Sequence, residues 1–376
     1  MLWKRYSGIF TSITSMKNVF LACCLFLTVL QVQGQEIDSL DFKIGQMIMV
    51  GIHNVDLESD DQILEDISQG NVGGIILYEK NINPDNSYIN LKKMIWKLKA
   101  NAPHPLLVSI DQEGGKVNRL KEKYGFPKSV TADYLGKTGS LDSTLFYSEI
   151  TAATLAGLGI NVNFAPVVDL SLFKDNPVIA RSGRSFSDQP DSAAFHAEQV
   201  VDAHRKFDVV TVLKHFPGHG SSHDDTHLGI ADVTNYWQDM ELFPYQSLIE
   251  KGKVDAVMTA HIVNKKLEPQ GLPGTLSKTI MTGILRDSLQ YKGVIFSDDM
   301  QMHAITKHYG LEQALKLSIQ AGVDILIFSN NIRGSENRTV NRVHSLIKKL
   351  VAEGHISSQR IDDSYRRILT LKEKFN

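Results

Sequence analysis

Cysteine is almost missing from this chain. Its 376 residues hold two, Cys23 and Cys24, side by side in an apolar run near the N-terminus. Past them no disulfide framework and no thiolate metal site can be built. Charge of one sign is also scarce. Forty Lys and Arg stand against 42 Asp and Glu, a net charge of -2. No basic surface of the kind that holds nucleic acid is implied. Pro/Gly/Ser linkers, short internal repeats and low-complexity tracts are lacking across residues 35–376. What remains is ordinary globular composition, 42% hydrophobic and 22% charged. Its length suits one large barrel or two average domains.

The first 34 residues read separately. Lys17 precedes the apolar run 19–30, and Gln31-Val32-Gln33-Gly34 follows it. A positive start, a short apolar stretch and a small exit residue predict a secretory signal peptide, with Met16 as an alternative start. The run falls short of the roughly 20 residues of a spanning helix, so no stable membrane insertion is expected once it is removed. Apolar residues continue well past Cys24, which argues against a lipid anchor at the cysteines. The expected mature protein, 35–376, loses Lys4, Arg5 and Lys17 and no acid, so its charge is -2 minus 3, or -5. The expected location is periplasmic or extracellular.

The rest alternates short β-rich runs with amphipathic stretches. The runs are 44–52, 73–78, 106–111, 161–169, 209–216, 255–262, 293–298 and 323–328. They are continuously apolar, as parallel strands buried on both faces should be. Between them, stripes such as Leu91, Met94, Ile95 and Leu98, or Val343, Leu346, Ile347 and Leu350, have helical spacing. Eight strands alternating with helices predict an α/β fold, a single (β/α)8 TIM barrel. A doubly wound open sheet is the alternative.

A TIM barrel carries its site at the C-terminal ends of its strands. Polar residues do collect where the runs stop. The third ends in Asp111-Gln112-Glu113-Gly114-Gly115, the fourth in Asp169, and the fifth runs into Lys214-His215-Phe216-Pro217-Gly218-His219-Gly220. The sixth ends at His261 and the seventh at Ser297-Asp298-Asp299. The glycines here suit turns that bring backbone close to a ligand.

These segments, with Arg119, Asp225-Thr226-His227 and Phe296-Ser297-Asp298-Asp299-Met300, resemble bacterial glycoside hydrolase family three, in its single-domain β-N-acetylglucosaminidase branch. The resemblance runs from Gly45 to the 360–371 tail. It implies a retaining exo-β-N-acetylglucosaminidase (β-N-acetylhexosaminidase) that works without cofactor or metal. The carbohydrate substrate would be terminal β-linked GlcNAc of peptidoglycan fragments or chitooligosaccharides. Asp298 would be the nucleophile, because an ionised carboxylate can collapse onto an oxocarbenium-like centre and leave again. Asp299 would cap the following helix. Asp225 and His227 would form the acid/base pair, the carboxylate fixing the imidazole tautomer. Glu113 and His219 are next in line for that role. Asp111, Arg119, Lys214 and His215 would bind sugar hydroxyls, and Arg184 the acetamido sugar. Asp169 would bind or brace, and Met258 and His261 could line the wall.

Residues 218–229 are rich in small and polar side chains, so a mobile loop is expected. The cluster His219, His223, Asp224, Asp225 and His227 also admits a metal reading, although no spacing in it matches a helical grip. Rival functions are a β-glucosidase or β-xylosidase, a glycoside phosphorylase, and a catalytically silent sugar-binding protein. Oligomeric state cannot be read from the sequence.

Overall fold

A computed structural model of the chain describes residues 39–58, 61–226, 228–331 and 340–375. The predicted signal segment and His227 lie outside them. Every apolar run contributes a strand. In chain order these are β1 Ile48–Gly51, β2 Gly74–Leu77, β3 Leu107–Ile110, β4 Val162–Asn163, β5 Val210–Phe216, β7 Ala256–Thr259, β9 Val294–Asp299 and β10 Ile325–Phe328. Two short strands, β6 Ala231–Asp232 and β8 Ile262–Val263, pair outside the barrel. The eight barrel strands are all parallel, and β10 closes on β1 through Ile48–Leu326 and Val50–Phe328. The fold is the (β/α)8 barrel, not an open sheet.

Burial on both faces explains the unbroken apolar runs. β1, β2, β3, β5 and β10 are buried at every position. Each large aliphatic side chain removed from water contributes roughly 1.5–3 kcal/mol. The helix Ser87–Ala100 turns Leu91, Met94, Ile95 and Leu98 inward, as its stripe requires.

Three of the strands cover half or less of their expected run. Residue 44 is helical rather than extended. The Ser39 hydroxyl accepts the Phe42 amide at 3.2 Å and starts the helix Leu40–Gln46, so β1 begins only at Ile48. The run 161–169 is regular strand only over Val162–Asn163; Pro166 has no N–H to give, and contact with β5 continues as a single bridge between Val167 and Lys214. The run 255–262 breaks after Thr259: the Ala260 amide still bonds the Phe216 carbonyl of β5 at 2.7 Å, but the Ala260 carbonyl accepts the Thr275 amide at 3.2 Å instead of a barrel partner, and β8 begins only at Ile262.

Candidate active site

The polar strand ends converge on one cavity of about 330 Å³ at the C-terminal mouth of the barrel. Asp111, Arg119, Arg184, Lys214, His215 and Asp298 all line it, so six of the eight predicted site residues meet there. Asp225 does not line it, but its neighbour Thr226 does. Another small hollow lies behind Arg184, between barrel and helices, and shares only Glu113 and Arg184 with the site.

Two of the contributing strands are irregular where the chemistry sits. Pairing of β5 with β7 shifts register between Leu213 and Phe216, which span Lys214 and His215. Pairing of β10 with β9 shifts between Phe296 and Asp299, which span Asp298. Such irregularities re-aim side chains at a strand end.

Lys214 is buried at the centre of an ion network. Its ammonium lies 2.8 Å from Asp111 and 2.6 Å from Glu113. Glu113 also accepts both arms of the Arg184 guanidinium, at 2.7 and 2.8 Å. Arg119 reaches Asp111 at 3.4 Å and lies over the Tyr78 ring. Gln112 makes that reach possible, because its carbonyl accepts the backbone amides of Arg119 and Leu120 and folds the loop back. Gly114 permits the turn, since a Cβ there would meet the Val130 carbonyl at 2.2 Å and its φ is +97°.

Electrostatics separates these carboxylates. Burial alone would raise Glu113, but Arg184 and Lys214 outweigh it and hold the carboxyl at about 2. Asp111 is likewise lowered, burial being overcome by Lys214 and Arg119. Glu113 therefore stays ionised and cannot hand over a proton near neutral pH. His219 fails as a reserve acid for the opposite reason. Burial pushes it down to about 4, against the pull of Asp169. Its Nδ1 has no hydrogen-bond partner among the described residues.

Asp169 is a brace rather than a sugar ligand. Its buried carboxylate accepts the amides of His215 and His219 at 3.2 and 2.7 Å, and the His215 Nδ1–H at 2.7 Å. That bond sets the His215 tautomer, so Nε2 accepts from Arg184 at 3.3 Å. His215 lines the cavity with both ring nitrogens already engaged.

The loop after β5 differs from its expected mobility over its first half. Few apolar groups hold it, but polar ones do. Glu241 accepts the Gly220 amide at 3.0 Å and the Ser221 hydroxyl at 2.7 Å. Asn176 donates to the His219 and Gly220 carbonyls at 2.8 and 3.1 Å. Gly220 packs so closely that a Cβ would lie 1.8 Å from the Leu170 carbonyl. His223 turns outward and stacks between Phe173 and Tyr236 at 3.8 and 3.9 Å, while His219 turns inward. Two of the three histidines of the suspected metal cluster thus diverge; the third, His227, lies outside the described residues. Asp225 is half-buried, and its carbonyl accepts the Leu228 amide at 3.0 Å. Farther on, the Leu228 carbonyl accepts from Lys307 at 2.9 Å.

Asp298 is the last but one residue of β9 and lines the cavity. Its amide donates to the Thr259 hydroxyl at 3.1 Å, and its Oδ1 accepts the Asp299 amide at 2.7 Å. Asp299 does not cap a helix as expected. It accepts from the amides of Gln301 and Ser329 at 3.1 and 3.2 Å and from the Ser329 hydroxyl, tying β9 to β10. Burial, with Asp298 beside it, pushes Asp299 up to about 6 despite those donors. The next helix, His303–Thr306, begins only after a turn.

Sequence reading gave Glu113 only as a reserve acid/base, not as the partner of Arg184 and Lys214, and missed Glu241 altogether. Glu113 stood inside a motif already singled out, two residues from Asp111, on the same side of an extended segment. Glu241 lies far along the chain with no local signal.

Residues 39–371 match the glycosyl hydrolase family 3 N terminal domain. A "Beta-hexosaminidase A" of Pseudoalteromonas piscicida is 31% identical over 333 residues, covering 83% of this chain. The chain spans only 55% of that relative's length. A "Beta-hexosaminidase" of Tolumonas auensis is 28% identical over 340 residues, 87% of this chain and 98% of that protein. Among solved structures, a family 3 beta-N-acetylglucosaminidase from Paenibacillus sp. superposes with a TM-score of 0.81 at 34% identity, over 89% of this chain and 62% of that one. A Beta-N-acetylhexosaminidase from Beutenbergia cavernae gives 0.79 at 26%, over 89% and 98%.

Proposed function

The chain belongs to glycosyl hydrolase family 3, and from that membership we propose that it is a retaining exo-β-N-acetylglucosaminidase. The observation that carries the proposal is Asp298, set at an irregular strand end on a cavity lined by hydrogen-bonding ion pairs together with apolar side chains such as Phe164 and Met258. At about 330 Å³ the cavity is at the small end of ligand sites, roughly 300–1,000 Å³. That size supports one terminal sugar ring rather than a length of polymer. The names carried by the similar proteins support GlcNAc as that sugar.

In this reading the sugar hydroxyls are taken up by Asp111, Arg119 and Lys214. Arg184, fixed by Glu113, faces the acetamido side. The Asp298 carboxylate attacks the anomeric carbon as the bond to the leaving oxygen breaks, giving a glycosyl ester. The leaving oxygen takes a proton from His227, held by Asp225. The neutral imidazole then removes a proton from water, which attacks the same carbon and frees Asp298, with net retention. Peptidoglycan fragments and chitooligosaccharides are the proposed natural substrates, met outside the cytoplasm after removal of residues 1–34. N-terminal sequencing of secreted protein should begin near Gln35; retention of 16–34 would favour an anchor.

Turnover of the 4-nitrophenyl β-glycosides of GlcNAc and glucose tests the specificity. GlcNAc should give the higher kcat/KM. Equal or faster hydrolysis of the glucoside would move the protein to a β-glucosidase role. Sugar-1-phosphate formed in phosphate buffer would make it a phosphorylase.

A further inference from the structure

Behind Asp298 lies a polar circuit that the proposed reaction does not use. Thr259, His261 and Thr275 are completely buried, and none of them lines the cavity. The Asp298 amide donates to Thr259 Oγ1 at 3.1 Å, and the Thr259 and Thr275 hydroxyls lie 2.6 Å apart. Thr275 Oγ1 is 2.7 Å from His261 Nδ1, and His261 Nε2 is 2.9 Å from the Asp299 carbonyl. A carbonyl only accepts, so Nε2 carries the hydrogen. In the neutral ring Nδ1 must then accept, and the Thr275 hydrogen goes to it at 2.7 Å rather than to the Ala260 carbonyl, which lies farther off at 3.1 Å. Thr275 in turn accepts from Thr259, whose own oxygen takes the Asp298 amide. The circuit runs one way, from the amide of Asp298 back to the carbonyl of Asp299.

This matters because the regular ladder gives way here. Pairing of β9 with β7 runs through Phe296 opposite Met258, and pairing with β10 shifts between Phe296 and Asp299. On the β10 side a side chain substitutes, the Ser297 hydroxyl accepting the Ile327 amide at 2.9 Å. On the β7 side Thr259 substitutes. The backbone that aims Asp298 is therefore held by hydroxyls, and on one side those hydroxyls are oriented by an imidazole.

We propose that His261, acting through Thr275 and Thr259, is a positioning residue that sets the approach of Asp298 to the anomeric carbon. The inference rests on the reading of Asp298 as nucleophile. It is tested in the full-length protein with His261→Leu, His261→Gln and Thr259→Val. The readouts are kcat and KM on 4-nitrophenyl β-GlcNAc, thermal midpoints, and the residue labelled by a fluorosugar trap.

An approach misplaced by a fraction of an ångström to an ångström should cost kcat about 10- to 100-fold, while KM stays within about twofold because the sugar-holding groups are untouched. Glutamine can donate to the Asp299 carbonyl and accept from Thr275, so it should recover most of the loss. Thr259→Val, nearly isosteric, should copy the leucine variant, and it supplies the same test if leucine at 261 does not fold. The inference is overturned if the folded variants keep kcat within about twofold, if glutamine is no better than leucine, or if the change falls in KM. A label on a residue other than Asp298 overturns the nucleophile reading itself, and this inference with it.

Discussion

The ion pair between Arg184 and Glu113 allows a quantitative test. Arg184→Met removes the guanidinium, keeps much of the side-chain volume, and leaves Glu113 with Lys214 alone. Glu113 is only 6% exposed and Arg184 only 10%, so water cannot take the place of the lost partner. Removing one member of a buried pair costs about 3–5 kcal/mol. The Lys214 ammonium, still 2.6 Å away, puts the expectation at the lower end. The net shift of Glu113, in which Lys214 shares and which burial opposes, is of the same order. The Glu113 carboxyl sits at about 2 against an ordinary 4.5; at about 1.4 kcal/mol per pH unit, that difference is worth roughly 3 kcal/mol. The unfolding entropy of a domain of ~330 residues is about 0.7 kcal/mol per degree, so Tm should fall by about 4 °C at pH 7.

The sign of the pH dependence follows from the lowered carboxyl. Its stabilising contribution is complete above its unfolded value and disappears as pH falls through the folded one. The gap between wild type and Arg184→Met should therefore be widest above pH ~5 and shrink to about 2 kcal/mol near pH 3.5. Glu113→Gln, added to Arg184→Met, should recover part of the loss, because no unpaired charge is left behind. Thermal unfolding followed by circular dichroism at both pH values decides the matter. A gap that is constant with pH, or a double variant no more stable than the single one, would refute the reasoning.

Three further outcomes are expected. Asp298→Ala should remain folded, with an unchanged circular dichroism spectrum, yet lose roughly 10⁴-fold or more of kcat; the fluorosugar label should sit on Asp298 in the parent protein, and a label on Asp299 or Asp111 would reassign the nucleophile. Asp225→Asn and His227→Ala should impair natural disaccharides more than aryl glycosides, and the double variant should be hardly worse than His227→Ala; losses that add in full would put the acid/base elsewhere. Gly220→Ala would drive a Cβ to 1.8 Å from the Leu170 carbonyl, so it should lower stability by about 1–3 kcal/mol and depress activity through the loop it anchors; unfolding and turnover indistinguishable from wild type would contradict that packing.

The barrel was legible because its signal is local. Eight runs buried on both faces keep β-branched and aliphatic residues in unbroken order, and the polar residues stand where each run stops. Strand limits were less legible, because a cap such as Ser39, or a diverted carbonyl such as that of Ala260, decides them without changing the apolar pattern. In the site, residues that line the cavity announced themselves by motif. Those that hold them did not. Glu241 is twenty residues from the Gly220–Ser221 turn it secures, and Asp169 is nearly fifty from the histidine amides it binds. Nothing local in the chain marks such partnerships. The loop expected to be loose showed the same blindness, since its low apolar content concealed polar anchoring.

The cavity wall holds four carboxylates, Asp111, Glu113, Asp298 and Asp299, against three cations, Arg119, Arg184 and Lys214. Most of that charge is spent on close internal pairs. Little field is left to reach into solution, and the neutral terminal GlcNAc ring of the proposed substrates offers nothing for such a field to pull. In that reading, seating of the ring is a matter of shape and diffusion rather than steering. Selection among neutral sugars begins only at contact, where each hydroxyl either replaces a water on an ion pair already in place or fails to.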